Sequence, residues 1–380
     1  MQNPGVPSFW LSRPARPLEA DYIVVGGGIF GLSTAYWLAK AGCRPLLLEA
    51  GSIASRASGR NAGFLITGTA ESYVAAARLF GEETARWWWE RSRDNRELLR
   101  SELLDSGRID CELLTEGSWV ASLAGTGQEE ELKESCEALQ PLGFDLEWKD
   151  ADEIRRASGS DRFGGGLFQK RDCGLDPVRL CRGIAHEIIA LGGEIRTGVR
   201  IRAIEPEGDR VRLTSDAGTW LAGRAVLALN SYVTQLLPEL GGEVRPVRAQ
   251  MLATAPGPRT LRGVWYVNDG YEYFRQLPDG TFLLGGCRWT ARDSEVGYLE
   301  APTGRVQAAL ESFLREALPQ FAGRPIVQRW AGTMALTPDG LPRRGTVPGI
   351  PGALYVTGCN GHGMSTGFVT GRDLAGQARG

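Results

Sequence analysis

The 380-residue chain has little histidine, little lysine and no long apolar run. Histidine occurs only at His186 and His362, which excludes a multi-histidine metal site and leaves two candidates for a histidine base. Lysine occupies four positions while arginine supplies 39 of the 43 basic residues, and the net charge is −2. That balance gives no electrostatic footprint for nucleic acid. No uncharged apolar run approaches the roughly 18 residues that a membrane span requires.

The cysteines of the chain form no recognisable motif. The seven cysteines are odd in number, widely scattered and include no Cys-x-x-Cys pair. This spacing disfavours a disulfide framework and a zinc knuckle. Residues 1–20 form an irregular proline-rich arm without the apolar core of a signal peptide. We therefore expect a cytoplasmic protein without a metal site.

Glycine, in contrast, is abundant at 51 residues, and one cluster lies in a nucleotide-binding pattern. Apolar runs at 21–25 and 44–48 predict buried strands, and residues 32–41 between them have helical spacing. In the pattern Gly26-x-Gly28-x-x-Gly31, the glycines permit a tight turn, close approach of a pyrophosphate and close helix–strand packing, respectively. Glu49 ends the second strand, where a carboxylate accepts hydrogen bonds from ribose hydroxyls. The pattern predicts a dinucleotide-binding βαβ unit.

A second glycine loop near the end of the chain favours a flavin over a nicotinamide. It runs from Gly358 to Gly367, after a predicted strand at 353–357 and before a predicted helix. A helix N-terminus there can stabilise the negative charge of a reduced flavin. His362 lies in this loop and either contacts the cofactor or substrate or caps the helix.

These motifs resemble the D-amino acid oxidase family of flavoproteins, which includes glycine oxidase, sarcosine oxidase and glutamylputrescine oxidoreductases. The resemblance extends from about residue 8 to the end and is strongest in 23–28, 48–49, 58–63, 197–204, 225–232 and 361–363. Phe9-Trp10 and the Ser-Gly-Arg-Asn stretch at 58–61 look most like the glutamylputrescine branch.

The resemblance implies an α/β fold, with a Rossmann-like FAD-binding domain and an interleaved α+β substrate domain. We expect an arm at 1–20, FAD-binding segments at 21–85, 160–245 and 326–380, and substrate-domain segments at 86–159 and 246–325. We expect Arg60 and Asn61 to donate hydrogen bonds to the flavin or its phosphates. The expected FAD-binding residues are Gly26, Gly28, Phe30, Gly31, Glu49, Ala50, Ser58, Arg60, Asn61, Ala62, Gly63, Ile201, Asn230, Gly361, Gly363 and Met364.

A hairpin is predicted for 271–275 and 282–284, around the turn at 278–280. Alternation along a strand places Tyr271, Tyr273 and Arg275 on one face, which we expect to form the floor of the substrate domain. An aromatic floor suits an amine through packing and cation–π attraction. The competing interpretation of this face is ordinary sheet packing.

Three departures from the family pattern bear on activity. Relatives that oxidise amino acids clamp the substrate carboxylate with an arginine, and Met334 occupies that place here; Arg275, Arg288 and Arg248 are possible substitutes. The lysine that relatives place over the flavin is replaced, and Arg288 is the nearest cation. The cysteine that links flavin covalently in one branch is replaced by Gly332, so FAD should be noncovalent.

We therefore expect FAD-dependent oxidation of a C–N bond in a small amine or amino acid. The candidate catalytic residues are His362, Arg288, Tyr273 and Arg275. The electrons pass to oxygen or to another acceptor, and an oligomer is possible. Two alternatives stay open: a flavin dehydrogenase that reduces a quinone or partner protein, and a non-catalytic FAD-binding subunit.

Overall fold

The computed structural model describes residues 17–380, so Phe9 and Trp10 lie outside the described residues. The strands in chain order are β1 (Leu18–Val25), β2 (Pro45–Glu49), β3 (Phe64–Leu65), β4 (Ser118–Leu123), β5 (Leu146–Lys149), β6 (Phe163–Gln169), β7 (Cys173–Gly174), β8 (Glu194–Thr197), β9 (Ile201–Glu207), β10 (Arg210–Ser215), β11 (Gly218–Leu227), β12 (Arg245–Thr254), β13 (Val264–Val267), β14 (Glu272–Gln276), β15 (Phe282–Gly286), β16 (Ile326–Leu336), β17 (Arg343–Val347) and β18 (Ile350–Thr357). The α-helices are α1 (Ile29–Lys40), α2 (Tyr73–Phe80), α3 (Glu82–Leu99), α4 (Gln128–Leu139), α5 (Ala151–Ser158), α6 (Pro177–Ala190), α7 (Val233–Leu236), α8 (Gly304–Ala317), α9 (Pro319–Ala322) and α10 (Gly363–Arg379). None of these helices is long and apolar enough to cross a membrane.

The first sheet contains the predicted nucleotide-binding unit. Its strand order is β17-β18-β11-β1-β2-β8, with β10 paired to β11 and β9 paired to β10. Strand β1 runs parallel to both β2 and β11. Val24 packs in one core with α1, α6 and α10, whereas Ile23 and Val25 pack on the other face with β10, β11 and α7. Burial on both faces explains why this strand is a continuous apolar run.

The second sheet carries the predicted hairpin. Its order is β16-β12-β15-β14-β13-β4-β6-β5, and its pairings are antiparallel except for that of β13 with β4. The hairpin β14–β15 is confirmed, with Phe274 and Phe282 buried in a core that includes Leu310 of α8. Successive strand residues point to opposite faces, so Tyr273 faces away from that core.

Strand pairing departs from the expected domain boundaries at two places. Strands β6 and β16 were expected in FAD-binding segments, but both belong to the second sheet. The boundary at residue 85 also falls inside α3, whose Trp88 and Trp89 pack with α4 and β5 while Leu99 packs with α1. The expected boundary therefore cuts one continuous helix whose two ends pack in different cores. The two-domain division remains a proposal, with β6 and β16 moved to the substrate domain.

Candidate active site

One cavity of about 1130 Å³ extends from the ends of the parallel strands in the first sheet to the face of the β14–β15 hairpin. The carboxyl ends of strands are where open α/β sheets bind ligands. Of the expected FAD-binding and catalytic residues, Gly31, Gly63 and Arg275 lie outside its wall. The others line it, namely Gly26, Gly28, Phe30, Glu49, Ala50, Ser58, Arg60, Asn61, Ala62, Ile201, Asn230, Tyr273, Arg288, Gly361, His362, Gly363 and Met364.

The glycine turn between β1 and α1 is a close crossing of backbone segments. Gly26 has a φ of 115°, and a Cβ added to it would lie 2.5 Å from the carbonyl oxygen of Ala228. A Cβ added to Gly31 would collide with the carbonyl oxygen of Gly26. Gly31 therefore allows helix and turn to pack, and this role explains its place outside the cavity wall.

Glu49 is held rigidly at the end of β2. Its Oε2 accepts a hydrogen bond from the N–H of Gly27 at 2.6 Å, and its Oε1 accepts one from the N–H of Gly51 at 2.6 Å. A carboxylate offers about four lone-pair sites, so both oxygens can accept further hydrogen bonds. The arrangement fixes an acceptor in the cavity wall where a ribose hydroxyl would be held.

The N-terminus of α1 fits the phosphates of FAD. Gly28 caps the helix without a side-chain hydrogen bond, and Ser58 Oγ accepts one from the N–H of Ile29 at 2.9 Å. A Cβ added to Gly28 would lie 2.9 Å from that same Oγ, so a larger residue would fill the space beside the helix end. A helix N-terminus with exposed backbone is a ready site for a pyrophosphate.

The polar side chains of segment 58–63 form hydrogen bonds with nearby backbone carbonyl oxygens. Asn61 donates to the carbonyl oxygens of Ala57 and Ser58 at 3.0 and 2.9 Å. Arg60 donates to the carbonyl oxygens of Ser55 and Ala331 at 2.9 and 2.8 Å. The amide N–H groups of Asn61 are thus engaged by the loop itself, which argues against donation from this side chain to the cofactor. Arg60 keeps N–H groups without a hydrogen-bond partner in the described residues, and its donation to the cofactor stays a prediction.

His362 stands at the N-cap of α10 but makes no side-chain cap. Its Nδ1 lies 3.0 Å from the carbonyl oxygen of Asn360, which can only accept, so Nδ1 carries the proton. Burial lowers the pKa of His362 below its usual range. A neutral ring cannot supply a positive charge to a reduced flavin, so the role left to His362 is acceptance at Nε2, for which no protein partner lies within residues 17–380.

Two tyrosines form the aromatic part of the wall. The rings of Tyr266 on β13 and Tyr273 on β14 are stacked with centroids 6.4 Å apart, and Phe64 meets Tyr273 edge-on at 6.2 Å. Burial raises the pKa of Tyr273 to about 12 and raises that of Tyr266 as well. Both hydroxyls therefore remain protonated and available as hydrogen-bond donors.

Arg275 is corrected as a catalytic candidate. It is 3% exposed, and its Nη1 donates to the carbonyl oxygens of Gly63 and Leu175, each at 3.1 Å. The short β3–β7 sheet packs against this side chain, since a Cβ added to Gly174 of β7 would lie 2.6 Å from Arg275 Nη1. Alternation along the strand therefore predicted the face of Arg275 but not the sheet that covers it. Arg248 is likewise engaged, because its Nε lies 2.6 Å from Glu295 Oε2.

Several wall residues were not predicted from the sequence. Tyr266 on β13 lies opposite Tyr273 on β14, so a prediction of the strand next to the hairpin would have identified Tyr266. Arg292 lies four residues after Arg288 in the same turn region. Glu71 and Asp269 also line the wall, and both come from irregular segments that give no sequence signal. Burial raises the pKa of Asp269.

Comparisons with known proteins agree with this geometry. A family model described as FAD dependent oxidoreductase matches residues 21–377. The gamma-glutamylputrescine oxidoreductase of Escherichia coli K12 is 30% identical over 374 residues, which cover 96% of this chain and 84% of that protein. The glycine oxidase of Bacillus licheniformis is 29% identical, with 93% of this chain and 92% of that protein covered.

Solved structures give the same fold. Glycine oxidase from Geobacillus kaustophilus superposes with a TM-score of 0.81 at 20% identity, covering 95% of both chains. L-proline dehydrogenase from P. horikoshii gives a TM-score of 0.80 at 18% identity, covering 95% of this chain and 93% of that one. The α/β fold with a Rossmann-like FAD-binding domain is thereby confirmed. The chain belongs to the family of FAD-dependent oxidoreductases.

Proposed function

We propose that the protein oxidises the C–N bond of a small amine or amino acid to an imine, which water then hydrolyses. The observation that carries this proposal is the continuity of one cavity. Its Gly26–Glu49 end fits a dinucleotide, and its other end is an aromatic chamber walled by Tyr266 and Tyr273. A chamber with such walls accommodates an alkyl amine through packing and cation–π attraction.

The chain's residues would hold the reactants as follows. Glu49 and the N-terminus of α1 bind the ribose and pyrophosphate of FAD, and the N-terminus of α10 lies at the other end of the same cavity. FAD, when bound, supplies the acceptor for two electrons and one hydrogen from the substrate carbon. The tyrosine pair orients the substrate and limits the access of water to the chamber, since both residues are partly buried.

His362 would accept a proton from the substrate amine. An amine can form a C=N bond only from a neutral nitrogen, so a bound ammonium must first lose a proton. The lowered pKa keeps His362 neutral near pH 7, with Nε2 as the acceptor atom. We assign this proton to Nε2 of His362.

An anaerobic panel of amines and amino acids would test the proposal. At least one compound should bleach the visible flavin band, and its carbonyl product and released amine or ammonia should appear in equal amounts. The same panel with Tyr273→Phe and His362→Asn variants should give slower bleaching. If no compound bleaches the flavin, while a chemical reductant does, the protein is an FAD-binding subunit without its own oxidation chemistry.

A dehydrogenase is the second candidate, and one observation favours it. No lysine lies in the cavity wall formed by the described residues, and the cations near the wall tyrosines are the arginines Arg288 and Arg292. After anaerobic reduction, mixing with air and with a soluble quinone in separate experiments would distinguish the two. Reoxidation by oxygen no faster than that of free reduced flavin, together with rapid reoxidation by the quinone, identifies the dehydrogenase.

A further inference from the structure

A buried asparagine of α3 reaches into the last helix of the chain. Asn95 is fully buried, and its Nδ2 donates to the carbonyl oxygen of Met364 at 3.1 Å. Its Oδ1 accepts from the N–H groups of Phe368 and Val369 at 2.8 and 3.0 Å. In a regular helix, the N–H of Phe368 and the carbonyl oxygen of Met364 are partners. The amide of Asn95 therefore bridges the two groups of one helical hydrogen bond.

This bridge does more than pack two helices together. Helices pack through apolar side chains alone, and Trp88, Trp89 and Leu99 of α3 are buried in that way. Asparagine is also unfavourable inside a helix, and a buried amide destabilises the fold unless its groups are paired. What the amide of Asn95 adds is direction, because its hydrogen bonds fix the first turn of α10 at one position relative to α3.

The first turn of α10 borders the cavity. Gly363 and Met364 line the wall, and the ring of His362 lies 6.3 Å from that of Tyr266 in the aromatic chamber. Within residues 17–380, the N–H of Met364 forms no hydrogen bond, as is usual at a helix N-terminus. This donor and the carbonyl oxygen that Asn95 holds belong to the same residue. The position of the donor is therefore set in part by Asn95.

The body of α10 is held by other contacts. Nη2 of Arg91, on α3, lies 2.7 Å from Oδ2 of Asp373. Helix α10 also packs closely on α1, because a Cβ added to Gly371 would collide with Ser33. Both contacts lie about two turns beyond Met364. Loss of the amide bridge would therefore leave the helix docked and displace chiefly its first turn.

Helices α1 and α10 point their N-termini into the same cavity. A Cβ added to Gly367 would lie 3.0 Å from Ile29, and four residues further along both helices Gly371 meets Ser33, so the two helices are parallel. Each N-terminus is equivalent to about half a positive charge. Ribose and pyrophosphate at the Gly26–Glu49 end leave the flavin ring for the aromatic end, beside α10. Negative charge on the reduced ring is then stabilised by the N–H groups of that first turn.

We propose that Asn95 is a positioning residue for the flavin. By holding the carbonyl oxygen of Met364, it keeps the first turn of α10 where its N–H groups stabilise the reduced ring, and it thereby raises the reduction potential of bound FAD. Asn95 does not itself line the cavity, so it acts through the helix. The inference depends on FAD binding and not on any substrate, and so it goes beyond the proposed function.

The reduction potential of the holoprotein tests this assignment without a substrate. Slow reduction in the presence of a redox dye gives the midpoint potential of bound FAD. Titration with sulfite gives a second measurement, because sulfite adds to oxidised flavin and leaves negative charge on the ring. Asn95→Leu keeps a similar volume and removes all the hydrogen bonds. Asn95→Asp keeps the acceptor for Phe368 and Val369 but, when ionised, cannot donate to Met364.

Ser135→Ala is the matched control for the loss of a buried polar side chain. Ser135 of α4 is also fully buried, and its Oγ accepts a hydrogen bond from the N–H of Val74 at 3.1 Å. Its hydrogen bonds are made with α2 and within α4, and none reaches α10 in the described part of the chain. The control should therefore lose thermal stability but keep the wild-type midpoint potential and sulfite Kd.

Asn95→Leu should weaken the binding of reduced FAD relative to oxidised FAD about tenfold, since a displaced helix N-terminus interacts less with the negative ring. For a two-electron couple, this change lowers the midpoint potential by about 30 mV. The Kd of sulfite should rise by about the same factor. Asn95→Asp should lower the potential at least as much, because its charge repels the reduced ring.

An unchanged or higher midpoint potential in Asn95→Leu, with a loss of thermal stability like that of Ser135→Ala, would overturn the assignment and leave Asn95 a structural residue. If Asn95→Leu does not fold, Asn95→Asp decides by the same two measurements, and a wild-type potential in that variant would overturn the assignment equally. The proposed function fails separately, when no amine or amino acid reduces the wild type, whatever the potentials of the variants.

Discussion

The two ends of the cavity are built in different ways. At the nucleotide end, Gly26, Gly28 and Glu49 come from one βαβ unit, and much of the binding is done by backbone groups whose positions the turn fixes. At the substrate end, Tyr266, Arg288 and His362 come from a strand, a turn and a helix cap that are distant in sequence. The first end is a local motif, whereas the second exists only after two sheets have packed together.

This difference determines what could be predicted from the sequence. The glycine spacing and Glu49 predicted the nucleotide end because the glycine turn and the carboxylate both lie within one supersecondary unit. Arg275 shows the limit at the other end. Alternation placed it on the correct strand face, but the carbonyl oxygens of Gly63 and Leu175 that engage it are distant in sequence. Asn61 shows the same limit within a loop, because no pattern indicates which carbonyls its amide will meet.

The largest expected effect concerns how FAD is held. Acid or heat precipitation should release all of the flavin into the supernatant. Gly332 replaces the cysteine that links flavin in one branch of the family, and burial raises the pKa of Cys359, the cysteine in the cavity wall formed by residues 17–380. A protonated thiol is a poor nucleophile towards flavin. Absorbance of pellet and supernatant is the measurement, and flavin retained by the washed pellet would contradict noncovalent binding.

Glu49→Ala should change the property of the nucleotide end, FAD affinity, without changing that of the substrate end, the rate of flavin reduction. The substitution removes the ribose acceptor and leaves the N–H groups of Gly27 and Gly51 without their partner. Loss of such charged hydrogen bonds costs about 1.5–3 kcal/mol, so FAD should bind about ten- to a hundredfold more weakly. Titration of apoprotein with FAD gives the affinity. At saturating FAD, the rate of flavin reduction should match wild type, and a changed rate would show that the ends are coupled.

Arg288→Met should slow reoxidation by oxygen tenfold or more, if oxygen is the acceptor. Negative charge develops on oxygen beside the reduced cofactor, and Arg288 is a fixed cation near Tyr273. Photochemical reduction removes any dependence on substrate binding, so stopped-flow mixing with air reports this step alone. Arg288→Lys should recover most of the rate, since a positive charge suffices for this role. An unchanged second-order rate in Arg288→Met would contradict it.

The smallest expected effect is at the substrate end, where the pH profile of flavin reduction should be displaced towards lower pH. His362 must be neutral to accept a proton at Nε2, so the rate of flavin reduction should fall as pH decreases through the pKa of this ring. Burial lowers that pKa from 6.5, which moves the midpoint of the acid limb below 6.5 and leaves the rate flat above it.

Below the midpoint, the rate of flavin reduction should decrease about tenfold per pH unit, as for a single titrating base. Anaerobic stopped-flow reduction between pH 5 and 8 gives the profile, because in this range only histidine normally titrates. His362→Asn should abolish this limb while leaving FAD affinity at the wild-type value, because the nucleotide end shares no hydrogen bond with His362 in the described part of the chain. A midpoint at or above 6.5, or an acid limb that persists in His362→Asn, would mean that another group accepts the proton.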